Sequence, residues 1–168
     1  MAFPHYFWLP GWTIAAFLAA IPQWLFTLAM GRPARPLHRF LSSYLRYSAR
    51  VNAYLLLAAN RFPTFLGRRG GHPVDLAVPG AERQRRWKTL LRPALAIPAV
   101  VFSQVLGTVA EIVALLAWFV CVALGRIPKG MRDLNAYCVR YQQQTLGYLL
   151  FVTDRFPQLA GAESYATF

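Results

Sequence analysis

Two long apolar runs dominate the pattern of hydrophobic and polar positions along the chain. The first extends from Phe3 to Met30 and contains no charged side chain. The second extends from Ile97 to Leu124, where the one charged side chain is Glu111. Each run is about 28 residues long, whereas a helix needs roughly 20 apolar residues to cross a bilayer. The pattern therefore predicts a helical integral membrane protein.

A second, more polar helix is predicted after each apolar run. The runs lead into basic turns, GRPARPLHR after the first and GRIPKGMR after the second. The helices that follow cover about 40–60 and 134–154. A proline ends each of them, Pro63 or Pro157, because proline cannot continue the helical hydrogen bonds. Since arginine at the bilayer centre is costly, we expect these basic helices to lie in the membrane interface rather than to complete a short, tilted crossing.

The chain contains an internal duplication with an ungapped offset of 94 residues, the separation of Trp24 and Trp118. A duplication indicates two copies of one structural unit, so we expect the two halves to adopt the same fold. The identities at this offset include Gly31-Arg32 with Gly125-Arg126, Arg46-Tyr47 with Arg140-Tyr141, Tyr54-Leu55-Leu56 with Tyr148-Leu149-Leu150, and Arg61-Phe62-Pro63 with Arg155-Phe156-Pro157.

A basic linker separates the two units. We place the first unit at 1–67, the linker at 68–95, the second unit at 96–161 and a tail at 162–168. In the linker, HPVDLAVP alternates apolar and polar residues between turn residues, which predicts a short extended segment. RQRRWKTLLRPALA predicts a basic amphipathic helix with Trp87 at the lipid boundary. We expect this polar linker to contact a soluble partner or anionic lipid headgroups.

The charge balance is strongly basic, with 18 Lys and Arg, 6 Asp and Glu, and a net charge of +12. Such a charge can indicate nucleic-acid binding, but here the cations flank apolar spans, as the positive-inside rule describes. We therefore predict no nucleic-acid partner. The hydrophobic share of 57% also exceeds the roughly 45–50% that is usual for soluble domains.

The sequence offers little catalytic chemistry. It contains no phosphate-binding glycine loop, nucleophile elbow or HExxH motif. The histidines are far apart, and Cys121 and Cys138 lack the CxxC spacing of a metal or redox site. We predict no enzyme activity, no cofactor and no metal. His38 lies in the basic turn, where we expect it to be solvated.

Glu111 is the one ionisable residue inside an apolar run. Such residues are rare in membranes and suggest a functional role. The equivalent residue of the first unit is Phe17, whereas a conduction site between symmetric repeats would be expected in both units. We favour a structural role, such as pairing with an arginine or facing a partner subunit, over ion or proton conduction.

The second unit carries motifs of a known family. GRIPKG at Gly125–Gly130, the Arg140-Tyr141 pair and TDRFP at Thr153–Pro157 follow its pattern, as does FPH near the start of the first unit. With these motifs the chain resembles the domain of unknown function 4389, an actinobacterial-type family of bacterial membrane proteins. The first unit departs from the pattern, with an asparagine where the motif has an acid. The resemblance implies a helical membrane protein and no catalytic residues.

Several residues are expected at lipid-headgroup depth, because a long cationic stem can cover lipid while its charge reaches water. These are Arg32, Arg46, Arg61, Arg126, Arg140, Arg155 and Trp87. Three topologies stay open: one crossing per apolar run, a hairpin in each run that bends near Gly11 or Gly107, or four spans that include the second helices.

The sequence thus predicts an all-α integral membrane protein of two tandem repeats, each a long transmembrane or hairpin helix plus a basic amphipathic or interfacial helix. We expect a multi-pass protein of the inner, cytoplasmic membrane. Its predicted function is that of a non-catalytic accessory or scaffold subunit of a larger membrane complex. Its expected partners are the lipid bilayer, anionic headgroups and other membrane subunits. The alternative is a small transporter or channel component that uses Glu111.

Overall fold

The computed structural model describes residues 3–56, 75–76, 86–157 and 166–167, with side chains described for 9–56, 87 and 89–157. The described part is helical apart from two short paired strands. The strands pair antiparallel, with Asp75 opposite Thr167 and Leu76 opposite Ala166. In chain order the elements are α1 Phe3–Met30, α2 Arg35–Leu55, β1 Asp75–Leu76, α3 Arg86–Leu124, α4 Lys129–Leu149 and β2 Ala166–Thr167.

Helix boundaries recur at the sequence offset of 94. The first apolar helix ends at Met30 and its counterpart at Leu124, while α2 and α4 each contain 21 residues and occupy equivalent positions. Arg46 and Arg140 therefore occupy the same kind of element. Pro63, the expected counterpart of Pro157, lies outside the described residues.

Glycine ends both apolar helices in the same way. Gly31 and Gly125 have φ angles of 67° and 68°, a left-handed conformation that glycine adopts without steric cost. Their N–H groups donate to the carbonyl groups of Thr27 and Cys121 at 2.8 Å. This is the common left-handed helix cap, and it explains why both units have a glycine at the start of the basic turn.

Neither apolar helix bends into a hairpin. The helix α1 continues through Gly11, and α3 continues through Gly107. The hairpin alternative is therefore wrong. One glycine costs a helix only about 1 kcal/mol relative to alanine, which is too little to break a helix supported by packing on its neighbours.

The helix α3 begins at Arg86 and includes the amphipathic segment that we expected as a separate linker helix. The boundary placed between residues 95 and 96 thus falls inside α3, and the helix continues through Pro93 and Pro98. The extended segment expected at HPVDLAVP contains β1.

The second helix of each unit packs against the other. Residue numbers rise along α2 as they fall along α4, so the two helices are antiparallel. Three hydrogen bonds show this direction: His38 Nε2 to the Val152 carbonyl (3.2 Å), Ser48 Oγ to Gln143 Oε1 (2.9 Å), and Asn135 Nδ2 to the Leu56 carbonyl (2.6 Å).

The pair α2–α4 forms the interior of the bundle, with α1 packed on α2 and α3 on α4. Trp12 of α1 contacts three rings of α2, those of Phe40, Tyr44 and Tyr47. The expected placement of α2 and α4 in the membrane interface stays a prediction, since these contacts give packing and not depth in a bilayer. Because their hydroxyl, amide and imidazole groups bond to one another, these polar helices can be buried together.

Candidate functional site

A buried arginine connects the start of α3 with the end of α4. Arg92 is fully buried, and its Nη2 donates to the carboxylate of Asp154. Its guanidinium lies 4.8 Å from the ring centre of Tyr148 and 5.2 Å from that of Phe151. Arginine suits such a place, because its planar, weakly hydrated cation pairs with carboxylates and stacks on aromatic faces.

The chain leaves α4 through a strained residue next to this arginine. Phe151 has a φ angle of 58°, a conformation that costs energy for a residue with a bulky side chain. The N–H of Val152 donates to the carbonyl of Gly147 at 3.0 Å, as in the turn that commonly ends helices. The strain places the Phe151 ring beside Arg92 and directs the chain towards Asp154.

A cavity of about 250 Å³ lies beside this arginine, between α1, the start of α3 and the end of α4. Its walls are almost entirely apolar, which suits a hydrocarbon group rather than a polar substrate. The lining residues are Phe17, Ala20, Ile21, Trp24, Arg92, Pro93, Leu149 and Phe151. Just beyond the cavity, Trp24 Nε1 donates to the Thr89 carbonyl at 3.1 Å and joins α1 to α3.

Most residues expected at headgroup depth lie on the surface near helix ends. Arg32 and Arg126 are exposed directly after α1 and α3, and Arg155 is exposed after α4. Trp87, at the start of α3, is 76% exposed. Arg61 lies outside the described residues. The described residues of this set lie at the ends of different helices rather than in one site.

Two of the expected headgroup arginines have a different environment. Arg46 is 8% exposed inside the bundle, and Arg140 is partly buried at the equivalent position of α4. Both interact with neighbouring groups of the protein. The assignment of Arg46 to headgroup depth stays a prediction, although the helices packed on α2 leave its side chain little outer surface for contact with lipid.

His38 is buried rather than solvated, because it lies in α2 and not in the basic turn. Its Nε2 donates to the Val152 carbonyl, and Ser42 Oγ donates to the His38 carbonyl at 2.6 Å. Burial lowers the pKa of His38 and the charge of Arg46 lowers it further, while the bond to Val152 raises it. The neutral imidazole is thus a structural connection between α2 and the end of α4.

Glu111 is exposed on α3, away from the contact between the two units. The predicted pairing with an arginine of the other unit is not formed among the described side chains. Within the described ranges, no three His, Cys, Asp or Glu residues come close enough to hold a metal ion. Burial raises the pKa of the Cys138 thiol, which keeps it protonated and unreactive.

One family model matches two segments of the chain. The model for the Domain of unknown function (DUF4389) matches residues 2–67 and 86–160, which together cover most of the sequence. The chain belongs to this family. It contains two tandem DUF4389 units, and the second match begins where α3 begins. Searches of curated proteins and of solved structures found no match.

The family motif TDRFP includes the acid that pairs with Arg92, a connection that the sequence analysis missed. The first DUF4389 unit has Asn60 at the position equivalent to Asp154. An acid that only the second unit contains indicates that its ion-pair partner also interacts with the second unit alone. That signal could have pointed to a cation near the second unit, but not to Arg92 among the many basic residues of the linker.

Proposed function

We propose that this DUF4389 protein is a non-catalytic scaffold or accessory subunit of the cytoplasmic membrane, with α1 and α3 crossing the bilayer. The observation that supports it is an inverted distribution of polar and apolar side chains. On α1, Gln23 and Thr27 are fully buried, while Ile14 and Leu18 are each 63% exposed. A water-soluble domain places such side chains the other way round.

Helix length and composition agree with this proposal. The segments Leu9–Met30 and Thr89–Leu124 are long and apolar enough to cross a membrane. Arg32 and Arg126 follow the ends of these segments, where cations contact anionic headgroups. The apolar cavity beside Arg92 opens on the same outer surface, and a lipid acyl chain has the chemistry to fill it.

A structural rather than catalytic role also fits the Arg92 centre. The Asp154 carboxylate is paired with Arg92, and the Arg92 guanidinium lies against the rings of Tyr148 and Phe151. These contacts fix α3 to the end of α4. A general acid or base needs access to a substrate proton, whereas Arg92 is fully buried. A fixed bundle with an apolar outer surface is suited to packing against lipid and membrane partners.

Membrane fractionation and a flux assay test the two parts of this proposal. The expressed protein should stay with the membrane pellet after an alkaline carbonate wash, together with a known multi-pass control. Recovery in the soluble fraction would contradict the membrane location. Liposomes that contain the purified protein alone should be no more permeable to protons and small ions than empty liposomes. Protein-dependent flux would favour a transporter over a scaffold.

A further inference from the structure

The guanidinium of Arg92 has hydrogen-bond donors that the protein does not use. Its Nη2 donates to Asp154, but within the described part of the chain no group accepts a hydrogen bond from its Nε or Nη1. The whole side chain is buried. A buried donor without an acceptor is unfavourable, so these two nitrogens indicate an acceptor that comes from outside the protein.

The cavity beside Arg92 is unsuited to water as that acceptor. Arg92 is part of its lining, and nearly all the other lining atoms are apolar. A bound water molecule needs about two to four polar partners, and apolar cavities stay dry. The volume of about 250 Å³ suits a hydrocarbon group instead. A ligand for this cavity therefore combines a hydrocarbon body with a hydrogen-bond acceptor.

The position of Arg92 along α3 indicates which acceptor is near. The segment of α3 that is apolar and long enough to cross a membrane begins at Thr89. Arg92 follows three residues later, about 4.5 Å along the helix. Trp87, just before the segment, is 76% exposed, and tryptophan is enriched where headgroups meet hydrocarbon. Arg92 thus lies near this boundary, where the ester groups of phospholipids are found.

The mouth of the cavity lies on the outer surface of α1. Phe17 and Ile21 form part of the lining and are 45% and 58% exposed. A hydrocarbon chain from the bilayer can therefore enter from the side. Asp154 already balances the charge of Arg92. A neutral carbonyl is consequently a sufficient acceptor, and a second buried anion would add a desolvation cost.

We propose that the cavity binds one acyl chain of a bilayer phospholipid, with the ester carbonyl of that chain accepting a hydrogen bond from Arg92. Since Nε and Nη1 are covered in the structure, binding turns the guanidinium towards the cavity. The bound chain contacts α1 of the first unit and both helices of the second, so it holds the two units together. This inference rests on the membrane location proposed above.

Two lipids that differ only at the carbonyl test the acceptor. The purified full chain in mild detergent is titrated with dioleoyl phosphatidylcholine, and bound lipid is counted by native mass spectrometry. The analogue with ether-linked oleyl chains lacks the carbonyl and should bind about fivefold more weakly or worse. In the double variant Arg92→Met, Asp154→Asn the two lipids should bind alike. Equal binding to the wild type, or stronger binding of free oleic acid, would overturn the proposal.

A matched pair of variants tests the place of binding. Ile21→Trp adds bulk at the mouth of the cavity and should lower the amount of bound lipid at least twofold. Ile14→Trp is the control, because Ile14 is 63% exposed on the same helix and does not line the cavity. It should bind as much lipid as the wild type. An equal effect of both variants would overturn the proposal.

The membrane location can fail independently of this lipid site. A protein that resists carbonate extraction but retains no phospholipid would overturn the lipid site alone, and the cavity would then be filled by the protein itself. A protein that carbonate extracts would contradict the membrane location as well.

Discussion

Replacing Asp154 with asparagine should destabilise the protein through the buried cation that it leaves behind. The Arg92 side chain is 1% exposed and that of Asp154 is 31% exposed. Removing one partner of a buried ion pair costs about 3–5 kcal/mol. Because water reaches Asp154 and two aromatic rings still face the guanidinium, we expect about 3 kcal/mol, the lower end of that range. For a chain of this length that corresponds to a melting temperature about 6–12 °C lower.

The double variant separates an unpaired charge from a general packing defect. Arg92→Met removes the buried cation and leaves a partly hydrated carboxylate, so adding Asp154→Asn to it should change stability by less than about 1 kcal/mol. Thermal unfolding of the purified protein in mild detergent, followed by tryptophan fluorescence, measures all three variants. Asp133→Asn is the matched control, since Asp133 is exposed at the start of α4. If Asp154→Asn lowers the melting temperature equally in the wild type and in the Arg92→Met variant, an unpaired buried cation is not the cause of the lost stability.

Two further predictions concern the packing of α3 and the titration of α2. Gly107→Leu should be less favourable than Gly11→Leu by about 1 kcal/mol, because a Cβ added at Gly107 would lie 2.6 Å from Nε2 of Gln142 and that flexible side chain would have to move aside. Gly11→Leu, which has open space around it, should be neutral or stabilising in the same thermal assay. Below pH 6.5 the unfolded imidazole of His38 binds a proton before the folded one, since burial lowers the folded pKa. The melting temperature should thus fall as the pH drops through this window, and His38→Gln should remove that part of the dependence. If the melting temperature of His38→Gln depends on pH as strongly as that of the wild type, His38 is not the residue that causes this dependence.

Local signals in the sequence were sufficient to predict the helices and their duplication. The glycines at 31 and 125 and the apolar runs before them predict the ends of α1 and α3, because helix caps depend on a few neighbouring residues. The same local signals left a hairpin at Gly11 or Gly107 open as one of three topologies. A glycine weakens a helix locally, but packing on the neighbouring helix decides whether it continues.

The interior of the bundle was not predictable from the same signals. Arginines on one side of a helix suggest a solvated face, yet Arg46 is buried because α2 is enclosed by its neighbours. Arg92 and Asp154 are 62 positions apart, so no periodicity in either segment connects them. Only the packing of α3 on α4 brings the two charges together.

The central claim is that the exposed apolar faces of α1 and α3 contact lipid, and spin labels can test it residue by residue. Leu18 and Val122 are 63% and 72% exposed on these helices, and Arg35 is exposed at the start of α2. In liposomes, labels at the first two positions should collide readily with oxygen and be shielded from a water-soluble nickel complex. The label at Arg35 should collide readily with the nickel complex and less often with oxygen. Equal access of the nickel complex to all three labels would contradict the account.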